Sequence, residues 1–134
     1  MKYGNLIVDK KELMLLQKLL TQMPKLMDQS HRVSIDRLWE ELKSASVVDE
    51  GEMPDDVVRF NSRVTILDAR GKQHAFQLVS PERGNIAQQK LSIIAPMGLA
   101  LYGYSQDDTV HWQFPGGMQQ IRITKVEQDL KTVA

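Results

Sequence analysis

The spacing of apolar residues changes from a helical period to a strand period part-way along the 134-residue chain. In residues 1–46 apolar residues recur three and four positions apart, as on one face of a helix. In residues 57–134 they alternate with polar residues, as in half-buried strands. The segment between them, VVDEGEMPDD, carries five acids and no base. We therefore expect a helical unit at 1–46, an acidic linker at 47–56 and a β-rich unit at 57–134, which together make an α+β protein.

The first unit is predicted to contain two amphipathic helices. Asp9 precedes the first helix and Glu12 lies three residues later, which is the pattern of a capping box. Ser34 is placed to cap the second helix. Since a short turn at Pro24 separates them, the helices are expected to form an antiparallel hairpin, a short coiled coil. With roughly 12 to 15 residues per helix, each arm would be about 20 Å long.

The second unit is predicted to be an antiparallel sheet that carries one short helix. Six segments have the composition of strands: DVVRFN, SRVTILD, HAFQLVS, KLSII, DTVHWQF and MQQIRITKVE. The segment DARGK has the composition of a hairpin turn. Only one interruption is helical: Pro96 suits a first helical position, and Gly103 suits the residue just past a helix end.

Charge and composition exclude several classes of protein. Seventeen basic and seventeen acidic residues give no net charge, whereas proteins that grip nucleic acid need a basic face, so direct specific DNA binding is not expected. No apolar run approaches the ~20 residues of a membrane span. The N-terminal stretch is too weakly apolar for a signal peptide, and a chain without Cys fits a reducing compartment. We expect a cytoplasmic monomer.

No cluster of residues predicts an active site, a metal or a cofactor. The three His residues lack the spacing of metal ligands. The acid pairs Asp55-Asp56 and Asp107-Asp108 lie at predicted turns, where turn and capping roles are more common than Mg²⁺ binding. From these residues alone, the chain is predicted to be a binding module.

Two motifs resemble a known family. The stretch SIIAPMGLALYGYSQDDTVHWQFPGG, followed by IRITKVE, resembles the C-terminal domain of the bacterial Gre transcript-cleavage factors. Upstream, DEGEMPDDVVRFNSRV is similar to the signature of the Rnk (regulator of nucleoside diphosphate kinase) branch of that family. The resemblance covers residues 52–127, and it covers the helical hairpin by length and placement only.

The resemblance implies a fold and a partner. It implies an FKBP-like C-terminal domain, with a strongly bent antiparallel sheet around one helix. It also implies docking on RNA polymerase at the mouth of the secondary channel, with the hairpin pointing inward. In Gre factors, a longer coiled coil carries an acidic pair at its tip that holds a second Mg²⁺ and activates RNA cleavage. Here the tip, PKLMDQSHR, offers Asp28 alone among Lys25, Ser30 and Arg32, a deficit that the Rnk branch shares.

The resemblance also implies which residues contact the polymerase. From the Rnk-like signature these are Asn61 and Arg63, and from the Gre-like motif they are Ile94, Ala95, Pro96 and Met97. In Gre factors the residue two before the proline is acidic and helps contact the polymerase, whereas this chain has Ile94 there. Asp107 replaces a Gly of the family pattern and is expected at positive φ.

Three functions remain open from the sequence. The favoured one is a non-enzymatic regulator that occupies RNA polymerase, competes with Gre factors and does not stimulate cleavage. The second is a true transcript-cleavage factor, which would need an acidic pair at the tip. The third is a peptidyl-prolyl isomerase, whose aromatic pocket is hard to assemble when Phe, Trp and Tyr make up 6% of the chain.

Overall fold

The computed structural model describes residues 2–22, 29–114 and 117–128 of the chain. Its elements are, in order, β1 (Ile7–Asp9), α1 (Lys10–Gln22), α2 (Gln29–Leu42), β2 (Ser46–Val48), β3 (Arg63–Leu67), β4 (Gln73–Val79), β5 (Lys90–Ser92), α3 (Pro96–Leu101), β6 (Thr109–Phe114) and β7 (Gly117–Glu127). Short 3₁₀ turns lie at Glu50–Glu52, Pro81–Arg83 and Ile86–Gln88. The predicted α+β class is confirmed.

Five strands form one sheet in the order β5-β4-β3-β7-β6. The pairs β3–β4, β3–β7 and β6–β7 are antiparallel, but β5 runs parallel to β4. The sheet is therefore mixed, and the prediction of an antiparallel sheet is wrong at β5. The reason is the connection between β4 and β5, because its two 3₁₀ turns carry the chain back and allow β5 to start in the direction of β4.

Two further strand predictions need correction. A small parallel sheet of β1 and β2, with Val8 opposite Val47, was not predicted. The segment DVVRFN was predicted to be a strand, but it forms only a single bridge between Val57 and Ser105. Both Val57 and Val58 are fully buried, so this segment does not keep the alternation that a half-buried strand requires.

The helix ends were predicted correctly where the signals are local. Asp9 caps α1, since its Oδ2 accepts the Glu12 N–H at 3.0 Å. Pro96 is the first residue of α3, and Gly103 lies past its end with φ 83°. Ser34 does not cap α2, because α2 begins five residues earlier, at Gln29. Asp107 adopts φ 74°, as expected.

A single hydrophobic cluster joins the N-terminal helices to the sheet. It contains Leu16 and Leu20 of α1, Leu38 of α2, Leu99 of α3, and Val64, Ile66, Trp112, Ile121 and Ile123 of the sheet. The division into 1–46, 47–56 and 57–134 stays a prediction. Among the described helices, none is long and apolar enough to cross a lipid bilayer.

Candidate docking surface

The corner between β5 and α3 carries four of the predicted contact residues: Ile94, Ala95, Pro96 and Met97. All four are half-buried. The Ala95 N–H donates to the Ser92 carbonyl at 3.0 Å, and the Ala95 carbonyl accepts from Leu99 at 3.0 Å. This corner is therefore held by backbone hydrogen bonds on both sides of Pro96, while each of the four residues stays partly accessible to solvent.

Gly98 allows α3 to lie directly on the end of β5. A Cβ at this position would come within 2.6 Å of the Ile93 carbonyl oxygen and 2.7 Å of the Ser92 carbonyl oxygen. Side chains of any size would push the helix away from the strand. Sequence reasoning missed Gly98, because its close packing depends on the course of β5. The position of β5 was predicted, but its direction was not.

An open cavity of about 260 Å³ lies beside α3. Ile66, Phe76, Leu91 and Met97 contribute apolar walls. At its polar side, the His74 Nε2 lies 3.0 Å from the Asp68 Oδ2, and this hydrogen bond with His74 lowers the pKa of Asp68. The cavity can receive an apolar side chain of a partner, with the hydrogen-bonded His74 and Asp68 side chains at its rim.

Asn61 has a structural role in a turn beside β4. It adopts φ 70°, its N–H donates to the Leu78 carbonyl at 2.6 Å, and its carbonyl accepts from the Gln77 side chain at 3.0 Å. Its Oδ1 accepts from Arg83 Nη1 at 2.8 Å. These contacts join the turn before β3 to the end of β4 and to the loop that follows β4.

Arg63 lies on the other face of the sheet from α3. Residues on a strand alternate between faces. Val64 and Ile66, on the same strand as Arg63, point into the core on the side that α3 covers. Arg63 itself is exposed and lies opposite Gln77 and Glu127 on the adjacent strands. The structure therefore does not bring the Arg63 side chain together with Met97, because the sheet separates them.

A partly buried ion pair joins α1 to the segment before β3, and sequence reasoning missed it. The Glu12 carboxylate lies 2.5 Å from Arg59 Nη2 and accepts the Phe60 N–H at 3.0 Å and the Tyr102 hydroxyl at 3.4 Å. Burial raises the pKa of Glu12, and the bonds from Phe60 and Arg59 offset only part of that rise. Glu12 was predicted to reach back to its own helix end, and no local signal points to Arg59, 47 residues away.

A second set of contacts attaches α2 to the sheet. The Trp112 indole N–H donates to the Ser34 hydroxyl oxygen at 2.9 Å, and the Arg37 guanidinium lies 4.3 Å from the centre of the Trp112 ring. Glu41 accepts from Arg37 at 3.1 Å and from the Tyr104 hydroxyl at 2.8 Å. Ser34 therefore lies inside α2, where its hydroxyl oxygen accepts a hydrogen bond from the buried Trp112 of the sheet.

Residues 53–128 match the family model described as transcription elongation factor GreA/GreB, C-terminal. This match covers more than half of the chain. The chain belongs to the GreA/GreB family.

Relatives within the GreA/GreB family support the same assignment. The chain is 39% identical over 84 residues to the regulator of nucleoside diphosphate kinase of Escherichia coli K12, a match that covers 62% of each chain. It is 34% identical over 93 residues to the transcription elongation factor GreA of Syntrophus aciditrophicus, covering 69% of this chain and 58% of that one. The match thus spans less than two thirds of the length of either relative. Among solved structures, a GreA/GreB transcription elongation factor of Nitrosomonas europaea aligns over 92% of this chain and 98% of its own, with a TM-score of 0.71 and 31% identity.

The GreA/GreB match contains the five-stranded sheet and α3 but not α1 or α2, which come before it in the chain. All six predicted contact residues, from Asn61 to Met97, lie inside residues 53–128. At the predicted hairpin tip, Lys25 and Asp28 lie outside the described residues, Ser30 lies within α2, and Arg32 is exposed on α2. In the part of the chain that the structure describes, no three His, Asp or Glu side chains gather as a metal site.

Proposed function

We propose that this GreA/GreB family protein is a non-enzymatic transcription regulator that binds RNA polymerase near the secondary channel. It competes there with Gre factors and does not stimulate RNA cleavage. Family membership supports RNA polymerase as the partner, because the relatives include proteins named as transcription elongation factors. The relative named as a regulator supports a role without chemistry of its own.

The length of the N-terminal helices carries this proposal. Helix α1 has 13 residues and α2 has 14, so each arm is about 20 Å long. Residues 24–32 include one acid, Asp28. Metal-assisted cleavage of RNA needs carboxylate oxygens within ~2.0–2.1 Å of Mg²⁺. A short arm with a single acid is poorly suited to supply them, whereas it is sufficient to occupy a channel entrance.

The proposed arrangement uses both parts of the molecule. The unit 57–134, which we take to be FKBP-like, docks through the Ile94–Met97 corner and its apolar cavity. The unit 1–46, as an antiparallel hairpin, points into the channel. The protein acts as a cytoplasmic monomer and makes no specific contact with DNA. Its net charge of zero supports this last point.

Competition for purified RNA polymerase core tests the proposal. Immobilised polymerase should retain the protein, and a Gre factor should displace it. Met97→Gln places an amide in the apolar cavity and should weaken retention about tenfold, equivalent to ~1.4 kcal/mol, with an unchanged melting temperature. Met118→Gln is the matched control, because Met118 is 62% exposed on β7. The proposal is wrong if the wild-type protein is not retained, or if a Gre factor does not displace it.

A further inference from the structure

On the side of the five-stranded sheet away from α3, strands β3, β6 and β7 carry exposed side chains. We define this outer sheet face by Arg63 and Thr65 of β3, Thr109 of β6, and Arg122, Lys125 and Glu127 of β7. The pairing places Arg63 beside Glu127, Thr65 beside Lys125, and Thr109 beside Arg122, so these side chains share one face. All except the half-buried Thr65 are exposed.

The outer sheet face is positively charged in a chain that has no net charge. It carries three cations, and its one acid, Glu127, lies 3.3 Å from Lys125. Within the described residues, the guanidinium groups of Arg63 and Arg122 have no ion pair and no hydrogen bond. By contrast, Arg37 binds Glu41 and Arg59 binds Glu12. Two guanidinium groups without an ion pair therefore face solvent on the same side of the sheet.

The spacing of these two arginines suits a protein partner with acidic side chains. Arg122 lies on β7 beside Leu67, which is four residues along β3 from Arg63, so the two Cα atoms are about 14 Å apart at ~3.3 Å per residue and ~4.8 Å between strands. A guanidinium group binds a carboxylate through two parallel hydrogen bonds. Thr65 and Thr109 add hydroxyl donors beside them.

Nucleic acid fits this face less well. Among its described residues there is no Phe, Tyr or Trp on which a base could stack. Binding to a phosphate backbone also needs an extended basic surface, and three cations beside one acid do not provide it.

We propose that the outer sheet face is a second docking surface, on which Arg63 and Arg122 each bind a carboxylate of an acidic protein surface. This rests on the proposed function, with RNA polymerase as the partner. The corner at Met97 and the outer sheet face point in opposite directions, so they contact different parts of the polymerase. Their contributions to binding are additive, because side chains separated by the sheet share no contact.

Binding kinetics on RNA polymerase core, at low and at high ionic strength, test this inference. Arg122→Glu and Arg63→Glu should each weaken binding about fivefold at low ionic strength, mainly through slower association. The difference should shrink at high ionic strength, since salt screens exposed charges. Lys43→Glu is the control, because Lys43 is an exposed cation in the turn just after α2 and undergoes the same change of charge. Arg63→Gln and Arg122→Gln should give about twofold effects, and melting curves check that each variant folds.

The outcomes separate this inference from the proposed function. If the wild-type protein binds polymerase and all four arginine variants bind equally well, the outer sheet face is not a docking surface and the proposed function stands. If the wild-type protein does not bind, both are wrong. If Arg63→Glu and Arg122→Glu weaken binding to a single-stranded RNA oligonucleotide but not to polymerase, the face binds nucleic acid and the proposed protein partner is wrong.

Discussion

Gly98 packs closely against the backbone in the corner between β5 and α3. The atoms that a Cβ would meet are the backbone carbonyl oxygens of Ser92, the last residue of β5, and of Ile93, which follows it, and they cannot move without shifting the end of the strand. Gly98→Ala should therefore destabilise the protein by about 1–3 kcal/mol, measured by urea unfolding. Gly51→Ala is the control, because nothing lies within 4 Å of a Cβ there. Equal stability of Gly98→Ala and the wild type would mean that α3 does not rest on β5 as described.

Residues whose partners are close in the sequence were predictable, and those with distant partners were not. The Asp9 cap, the helix start at Pro96 and the positive φ of Asp107 follow from backbone rules that act within a few residues. Ser34 was misassigned because its partner, Trp112, is 78 residues away. The Glu12 side chain was misassigned for the same reason.

At the scale of elements, α2 is held by polar contacts as well as by its apolar face, and one of them reaches Tyr104 in the loop between α3 and β6. Glu41 accepts hydrogen bonds from both Arg37 and Tyr104. Glu41→Ala should lower the free energy of unfolding by about 1–2 kcal/mol. Glu40→Ala should change it by less than about 0.5 kcal/mol, because Glu40 is exposed and its ion pair with Lys43 is also exposed. Equal effects of the two substitutions would show that the Tyr104 contact adds no stability.

The predicted boundary at 47–56 can be tested by limited proteolysis. Asp49 to Glu52 are exposed, so a protease should cut there before it cuts in the sheet. We expect the two fragments to remain associated after the cut, because α2 packs into the same hydrophobic cluster as β6 and α3. Size-exclusion chromatography of the cut protein measures this. Separation of the fragments in native buffer would contradict the shared cluster, and protection of 47–56 would contradict the boundary.

The type of most elements and the antiparallel pairing of most strands were predictable, while the parallel pairings were not. Apolar periodicity located both N-terminal helices and the strands of the main sheet, and the end signals Pro96 and Gly103 located α3. The parallel pairing of β5 with β4, and of β1 with β2, was not predictable, because three-residue strands have too little alternation to specify a direction. The segment before β3 was misread, because two adjacent buried valines have the composition of a strand without its pairing.

For the whole molecule, the proposed function depends on the length of the N-terminal helices and on the positions of the two proposed docking surfaces. In our proposal, RNA polymerase binds at both the β5–α3 corner and the outer sheet face. Arg63 belongs to the outer sheet face and Met97 to the corner. The sequence could not show this separation, because it depends on which side of the sheet α3 packs. The attachment of α2 to the sheet through Trp112 fixes where the short helices start. On this account the molecule occupies a site on polymerase without delivering a metal-binding group.

The absence of RNA cleavage is the central claim, and backtracked transcription complexes test it most directly. Added alone with Mg²⁺, the protein should release no short RNA, and added in excess it should inhibit cleavage that a Gre factor stimulates. Ser30→Asp, which places a second acid near Asp28, should remain inactive, because an arm of about 20 Å is still too short. Measurable, Mg²⁺-dependent shortening of the RNA by the wild-type protein would contradict the account and make the protein a cleavage factor.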